Sequence, residues 1–382
     1  MNLQKICIIG DGLAGLSAAI ILSKENVKID LYTGNNKLNK FQNDERTTSL
    51  SESSYKFIKE KVNLKNFNIF WPCKEIKLFY EDKRSINNFL NFKEEKKNLM
   101  YTFKNKELKK KLDKQIKKKK NIKLINKKIT KIKNSDGSVL LKKKSFFYDL
   151  IILSIGSKSK LYEKITNGRS IEKNYKEIAL TTTVGHNSKI SEVSQFFLKE
   201  GPLAILPFNK KSFSVVWSVS NSFFKVNNRY LKKILKDKIQ ILLKNFKIED
   251  ISDIKSFPIK LNLKSKYFKK NVLILGDGLH AVHPMAGQGF NLVLRDIKEL
   301  GNLIHKKLKF GLSLKNSFLL EEFYNARKPE NTILGVGIDL TNIFFKNNKY
   351  FSPAKKIILN NINKLKFIKK ISQKISDKGI TV

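Results

Sequence analysis

Residues 5–20 read KICIIGDGLAGLSAAI: the apolar run Ile6–Ile9 passes directly into Gly10-Asp11-Gly12-Leu13-Ala14-Gly15 and then into a small-residue, apolar helical stretch. A short apolar run that ends on glycine reads as a buried strand. Gly10 permits a tight turn, Gly12 removes the side chain that would obstruct a pyrophosphate, and Gly15 lets helix and strand approach. The start of the following helix carries backbone N–H groups without helical partners, against which an anion can rest. Val27–Tyr32 reads as a second strand, so the order is that of a parallel nucleotide-binding sheet. In that setting a dinucleotide turn outweighs a chance cluster of glycines. The acid expected about twenty residues further on, which holds a ribose, is replaced by Thr33, a weaker hydroxyl partner. Asp30 reads as a solvated or edge residue.

Working outward, the 382 residues are too many for one small core and predict two domains. With 41% hydrophobic residues, among them 27 Phe, a globular fold is well supplied. The formal charge of +44 is spread along the chain instead of forming one arm, as a biased surface composition would spread it. Such a field still favours anionic partners: phosphate-bearing cofactors, acidic lipid or nucleic acid. Cys7 and Cys73 make neither a disulfide framework nor a metal cluster, which fits a reducing compartment and a cytoplasmic location. The start lacks a signal-type apolar region with a cleavage site, and an uninterrupted apolar run of about 18 residues is absent.

Further along, residues 47–64 are expected to contain a helix, and 69–92 predict short strands. Residues 104–120 predict an amphipathic helix with Leu108, Leu112 and Ile116 on its apolar side and a basic outer face. Strands are expected over 122–132, 140–147 and 150–155, with Asn134-Ser135-Asp136-Gly137 as a hairpin turn. Strands and loops alternate over 176–220, helices follow around 228–246, and a long helix starts at Gln288. In the last segment Ile358, Ile362, Leu365, Ile368, Ile371 and Ile375 recur at helical spacing between lysines. Such a basic amphipathic helix either packs on the protein or lies against an anionic membrane, on the inner face of the cell membrane.

A second decisive stretch is residues 272–300, VLILGDGLHAVHPMAGQGFNLVLRDIKEL. A buried strand runs to Gly276-Asp277, a loop carries His280, His283 and Pro284, and Gly287-Gln288-Gly289 open a long helix. Asp277 at the strand end can accept from polyol hydroxyls, and the helix start can face negative charge developing on a ring. His280 and His283 resemble a metal pair by type, yet a third ligand is missing; structural or substrate-facing roles outweigh a metal.

With Asp44-Glu45-Arg46-Thr47-Thr48-Ser49-Leu50-Ser51, these motifs resemble the flavin monooxygenases related to para-hydroxybenzoate hydroxylase, and most nearly the branch that hydroxylates ubiquinone precursors. Gly201–Phe208, Val216-Trp217-Ser218, Tyr324, Arg327, Asp339-Leu340 and Phe344 are similar to smaller segments of that branch. The resemblance implies an α/β fold: an FAD-binding Rossmann-like domain with an interleaved, sheet-based α+β substrate domain. The expected division is 1–68, 100–161 and 266–345 for FAD, 69–99 and 162–265 for substrate, and 346–382 as a basic helical segment. Gly10, Gly12, Gly15, Thr33, Arg46, Asp277, Pro284, Gly287, Gln288, Gly289 and Asn291 are the expected cofactor residues. Leu206, Phe208, Val216 and Trp217 are candidates for the substrate cavity, with ordinary core packing at least as good a reading for each.

The implied activity is hydroxylation of a lipophilic phenolic or quinone-like ring by O2 through a flavin C4a-hydroperoxide, with NADPH or NADH as electron donor. Membership of a complex of quinone-biosynthesis proteins and peripheral membrane contact belong to the same expectation. One departure concerns Ser154-Ile155-Gly156-Ser157-Lys158-Ser159, where the family carries Ala-Asp-Gly-x-x-Ser: Ile155 cannot accept a hydrogen bond. With Thr33, it leaves two cofactor acids missing. A flavoprotein reductase or dehydrogenase for an isoprenoid or quinone-like compound is therefore a standing alternative. A basic nucleic-acid-binding protein is a weaker one, since a compact basic recognition helix and an aromatic strip are both lacking; nucleic acid is not an expected partner.

Overall fold

The computed structural model describes residues 3–34, 44–63, 68–82, 85–129, 131–133, 138–141, 144–156, 159–162, 165, 170–188, 190–244, 246–315, 318–346, 358–359, 361–362 and 364–380. The expected hairpin turn at 134–137 lies outside them.

Gln4–Ile9 forms the centre of a six-stranded sheet because it is apolar on both faces, as a strand covered by helices on either side must be. The order across the sheet is Phe268–Lys269, Val272–Ile274, Leu150–Leu153, Gln4–Ile9, Val27–Tyr32, Ile122–Ile125. All neighbours are parallel except the edge strand Phe268–Lys269. Leu13–Leu22 packs beside it with eight of its ten residues buried, and Asn105–Ile116 contributes Leu108, Leu112 and Ile116 to the same core. Gly289–Lys309 adds its apolar stripe from Leu292 to Ile304. The first and last thirds of the chain thus share one core.

A nine-stranded sheet forms the second layer. The long strand Ser170–His186 pairs antiparallel with Ser212–Ser220 on one side and Lys255–Lys264 on the other. Val193–Leu198 joins it through Gly201–Asn209 and then takes Glu75–Asp82 as a parallel neighbour, with Ser85–Lys93 at the edge. One side of this sheet buries Val215, Trp217 and Val219 against Leu231–Leu242, whose Leu231, Leu235 and Ile239 recur every four residues. The α/β architecture with an interleaved mixed sheet is the one expected from the sequence.

Two expectations are refined. The segment 47–64 is not all helix: Thr47–Ser51 is a strand paired with Met100–Lys104, and the helix runs Glu52–Val62. The Ser51 side chain accepts from the Ser54 N–H and starts that helix. The final helix is Lys366–Lys378, shorter than the periodicity from Ile358 suggests. Among the described residues, no helix is long and apolar enough to cross a membrane.

Candidate active site

A cavity of about 2560 Å³ lies between the two sheets. Both glycine-rich turns open onto it. Gly10 holds φ at +121°, and a Cβ there would lie 2.2 Å from the Ser154 carbonyl oxygen, so the turn requires glycine. A Cβ at Gly15 would come just as close, 2.0 Å, to the Gly10 carbonyl oxygen, so glycine there lets the helix approach the strand. Gly12 is different: a Cβ there would meet nothing within 4 Å, and the space it faces is the cavity. Gly289 has the same property at the other turn.

Each of these turns starts a helix without a side-chain cap: Leu13–Leu22 after Gly12, and Gly289–Lys309 after Gln288. First-turn N–H groups with no helical acceptor concentrate partial positive charge at such ends. The two motifs also touch, since a Cβ at Gly276 would come within 2.9 Å of the Ala14 methyl carbon. Residues more than 250 positions apart in sequence therefore present two uncapped helix starts to one space.

Thr33, Arg46, Asp277, Pro284, Gly287 and Gln288 line the same cavity. Arg46 grips Asp44 with Nε and Nη2, each at 2.8 Å, and its guanidinium lies 5.2 Å from the Phe257 ring centre. Burial opposes the Asp44 charge, but the Arg46 hydrogen bond and charge outweigh it and hold that carboxyl below its ordinary pKa. The Asp44 hydrogen bond, and then the nearby Asp277 carboxylate, raise Arg46 above its ordinary value. Arg46 and Asp277 both line the cavity, near enough for the acid to favour the guanidinium charge. Gln288 is buried, and its Oε1 has no hydrogen-bond partner among the described residues; neither has Ser154 Oγ. Both residues line the cavity. Buried polar atoms of this kind are normally satisfied, and these two belong to residues of the cavity wall.

Asn291 also lines the cavity, and its side chain is fully engaged with the protein. It is buried, its Oδ1 accepts from the Ser51 N–H at 2.9 Å, and its Nδ2 donates to the Ser49 and Gly287 carbonyls at 3.2 and 3.1 Å. Its side-chain amide clamps the Thr47–Ser51 strand to the second turn at the cavity wall. Gly287 makes that clamp tight: its φ is +60°, and a Cβ would sit 1.9 Å from Ser49 Oγ.

Both histidines are held in buried pairs with acids, and His280 also lines the cavity. His280 Nε2 lies 2.6 Å from Asp296 Oδ2, and Arg327 Nε donates to Asp296 Oδ1 at 2.7 Å, all deep in the protein. Burial opposes the Asp296 charge, but His280 and Arg327 outweigh it and keep the pKa low. His283 pairs with Glu177 at 3.0 Å, and burial pushes its pKa down to about 4. Among the described residues no group of three or more His, Cys, Asp or Glu is arranged to hold a metal.

Of the expected substrate residues, Leu206 and Val216 line the cavity. Trp217 does not. Strand side chains alternate between faces, so Val216 on the cavity side sends Trp217 into the opposite core, fully buried against Phe223. Phe208 also lies elsewhere, in a smaller recess where Lys104 Nζ stands 4.3 Å from its ring centre. Burial pushes the Lys104 pKa down to about 8. The apolar end of the cavity is instead completed by Leu78, Phe89, Phe197, Phe344 and Phe345, from three separate stretches of chain. Periodicity marks such residues as apolar but not which cavity they share.

Tyr162 was not marked by any motif. Its hydroxyl accepts from the Ile155 N–H at 3.1 Å, and its ring fills the space where a Gly278 Cβ would be. The chain thus satisfies, with a tyrosine, the backbone at the position where the expected acid is missing.

Residues 153–312 match the family described as FAD binding domain. The chain is 29% identical over 208 residues to the ubiquinone biosynthesis monooxygenase COQ6 of Dictyostelium discoideum, covering 45% of this chain and 42% of that protein. It therefore spans less than half the length of the curated relative it matches. Among solved structures, p-nitrophenol 4-monooxygenase PnpA from Pseudomonas putida superposes with a TM-score of 0.80 at 13% identity, over 100% of this chain and 99% of that one. HpxO of Klebsiella pneumoniae, solved with FAD and uric acid, superposes with a TM-score of 0.75 at 17% identity, over 98% and 97%. The fold is that of the FAD-dependent monooxygenases of the para-hydroxybenzoate hydroxylase type. The curated relatives it matches include COQ6 ubiquinone biosynthesis monooxygenases and the 3-demethoxyubiquinol 3-hydroxylase of Escherichia coli.

Proposed function

We propose that this chain binds FAD along the cavity between Gly12 and Gly289 and hydroxylates the aromatic ring of a lipophilic ubiquinone-type precursor with O2. The observation that carries the reading is the meeting of two uncapped, side-chain-free helix starts in one cavity. The Gly12 end suits a pyrophosphate and the Thr33 hydroxyl a ribose; Asp277 suits the ribityl hydroxyls, and the Gly287–Gly289 turn the flavin ring. Bound FAD supplies the oxygen chemistry, fed by NADPH or NADH. The chain's own residues do the positioning. Leu206 and Val216 hold an apolar ring and keep water away, while Pro284 and the Gly287 turn border the opposite side of the same space. Lipophilic substrate, contact with a membrane surface and association with other quinone-biosynthesis proteins belong to this proposal, supported by the names of the relatives and the apolar end of the cavity.

Ile155 and Thr33, in place of acids, favour a second reading: a flavoprotein reductase of a quinone-like compound. The two separate in one assay with isotopically labelled O2, a supplied reductant and demethylated or demethoxylated quinone precursors. Label in the ring supports hydroxylation. Reduced quinone without label supports the reductase, and hydrogen peroxide alone with every ring tried sinks hydroxylation. Protein purified without flavin, and with no affinity for added FAD, would sink both.

A further inference from the structure

The helix Lys366–Lys378 is mounted the opposite way from an ordinary surface helix. Its polar side meets the protein. Gln373 Nε2 donates to Glu94 at 2.9 Å, Asp377 Oδ1 accepts from the Ser53 N–H at 2.8 Å, and Arg295 donates to the Ser376 carbonyl at 2.8 Å. Its large apolar side chains point outward: Phe367 is 74% exposed, Ile368 41% and Ile371 40%, and no residue of the helix is buried. At about 100° per residue, Phe367, Ile371, Ile375 and Ile368 fall on one stripe of the helix, with Lys370 and Lys374 along its flank and Lys378 at the C-terminal end of the stripe itself.

A surface helix normally turns its apolar stripe to the core, because water makes that arrangement the favourable one. An outward stripe next to a row of lysines fits an occupant that is apolar inside and anionic at its edge. A bilayer containing anionic phospholipid meets both conditions: its acyl boundary takes Phe367 and Ile371, and its headgroups take the lysines. The inner side of the same helix, through Ser372, Gln373 and Ser376, forms part of the cavity wall.

We propose that the outward face of Lys366–Lys378 is a peripheral docking surface for anionic phospholipid bilayers, which seats the cavity wall against the membrane. This names the face and lipid class of the membrane contact in the reading above and rests on that reading. Vesicle binding is read without turnover, however, so its failure is distinguishable from failure of the oxygenation chemistry.

The test is flotation of the full chain with phosphatidylcholine vesicles, with and without phosphatidylglycerol. The expected result is binding to the phosphatidylglycerol vesicles alone. F367S/I371S should weaken it about tenfold or more, and K370E/K374E/K378E about a hundredfold. Both variants should keep the far-UV circular dichroism of the parent, since the substituted side chains lie on the outer face. Absence of binding by the parent chain would overturn the proposal. So would binding untouched by F367S/I371S but competed by RNA, which is plain polyanion attraction. A lipid-free dimer that F367S/I371S converts to monomer would assign the face to a second copy and overturn it equally.

Discussion

The two glycine-rich turns do similar work in the cavity but are held by different means. The first, Gly10–Gly15, is locked by its own backbone and by the neighbouring parallel strand, through Ser154. The second, Gly287–Gly289, is held by side chains from far away: Asn291 ties it to Ser49 and Ser51, and the Asp296–His280–Arg327 cluster anchors the loop before it. A turn fixed by backbone contact tolerates no substituent. A turn fixed by a polar clamp depends on each hydrogen bond. The difference predicts how each will fail.

The largest effect should come from Gly10→Ala, which meets both a left-handed φ and a backbone oxygen 2.2 Å away. We expect a loss of about 3 kcal/mol or more in a urea titration. An unchanged midpoint would show that the first turn is not backbone-locked. Gly12→Val, two residues on, should behave in the opposite way. Its side chain enters open space, so stability should move by less than about 1 kcal/mol. FAD affinity, followed by flavin fluorescence, should fall about a hundredfold, roughly 2.7 kcal/mol; full affinity would remove FAD from this end of the cavity.

At the second turn, Asn291→Ala leaves the buried Ser51 N–H and the Ser49 and Gly287 carbonyls without their partner. A cost of about 2 kcal/mol in stability is expected, together with weaker FAD binding. If stability falls while FAD affinity stays intact, the clamp does not shape the site. The most gradual effect, spread over a range of pH, is a slope at His283, which lies in the same loop. Its folded pKa of about 4 is below the ordinary 6.5, so the unfolded chain takes up a proton in that window and the folded one does not. Stability contributed by the neutral ring is therefore present above pH 6.5 and declines as pH falls towards about 4, by at most about 1.4 kcal/mol per pH unit. His283→Gln should flatten that part of the stability–pH curve.

Much of the first site was legible because its constraints are local. Gly10, Gly12 and Gly15 fall within six consecutive residues, between a strand and a helix that announce themselves by composition. The second motif was legible as a turn before a long helix, and Asp277, Pro284 and Gln288 do face the cavity. The role of Asn291 was not, because its partners Ser49 and Ser51 lie about 240 positions away. Trp217 was misassigned for a related reason. In Ser212–Ser220 the serines at 212, 214, 218 and 220 share the face of Val216, while Phe213, Val215, Trp217 and Val219 fill the other, but that alternation does not say which face meets the cavity until the sheet is packed. The final helix shows the same gap. Its periodicity was plain, but a helical pattern does not say which side meets the protein.

By itself, the sequence determined that the chain builds a parallel nucleotide-type sheet, that two glycine turns open helices, and where the apolar segments run. These follow from backbone sterics and hydrophobic period, which act over a few residues. Only the tertiary structure decided that both turns share one cavity, which face of each strand lines it, and that the last helix turns its apolar side outward. Those are outcomes of long-range packing, in which every buried face must find a partner, and one residue's direction depends on segments hundreds of positions away.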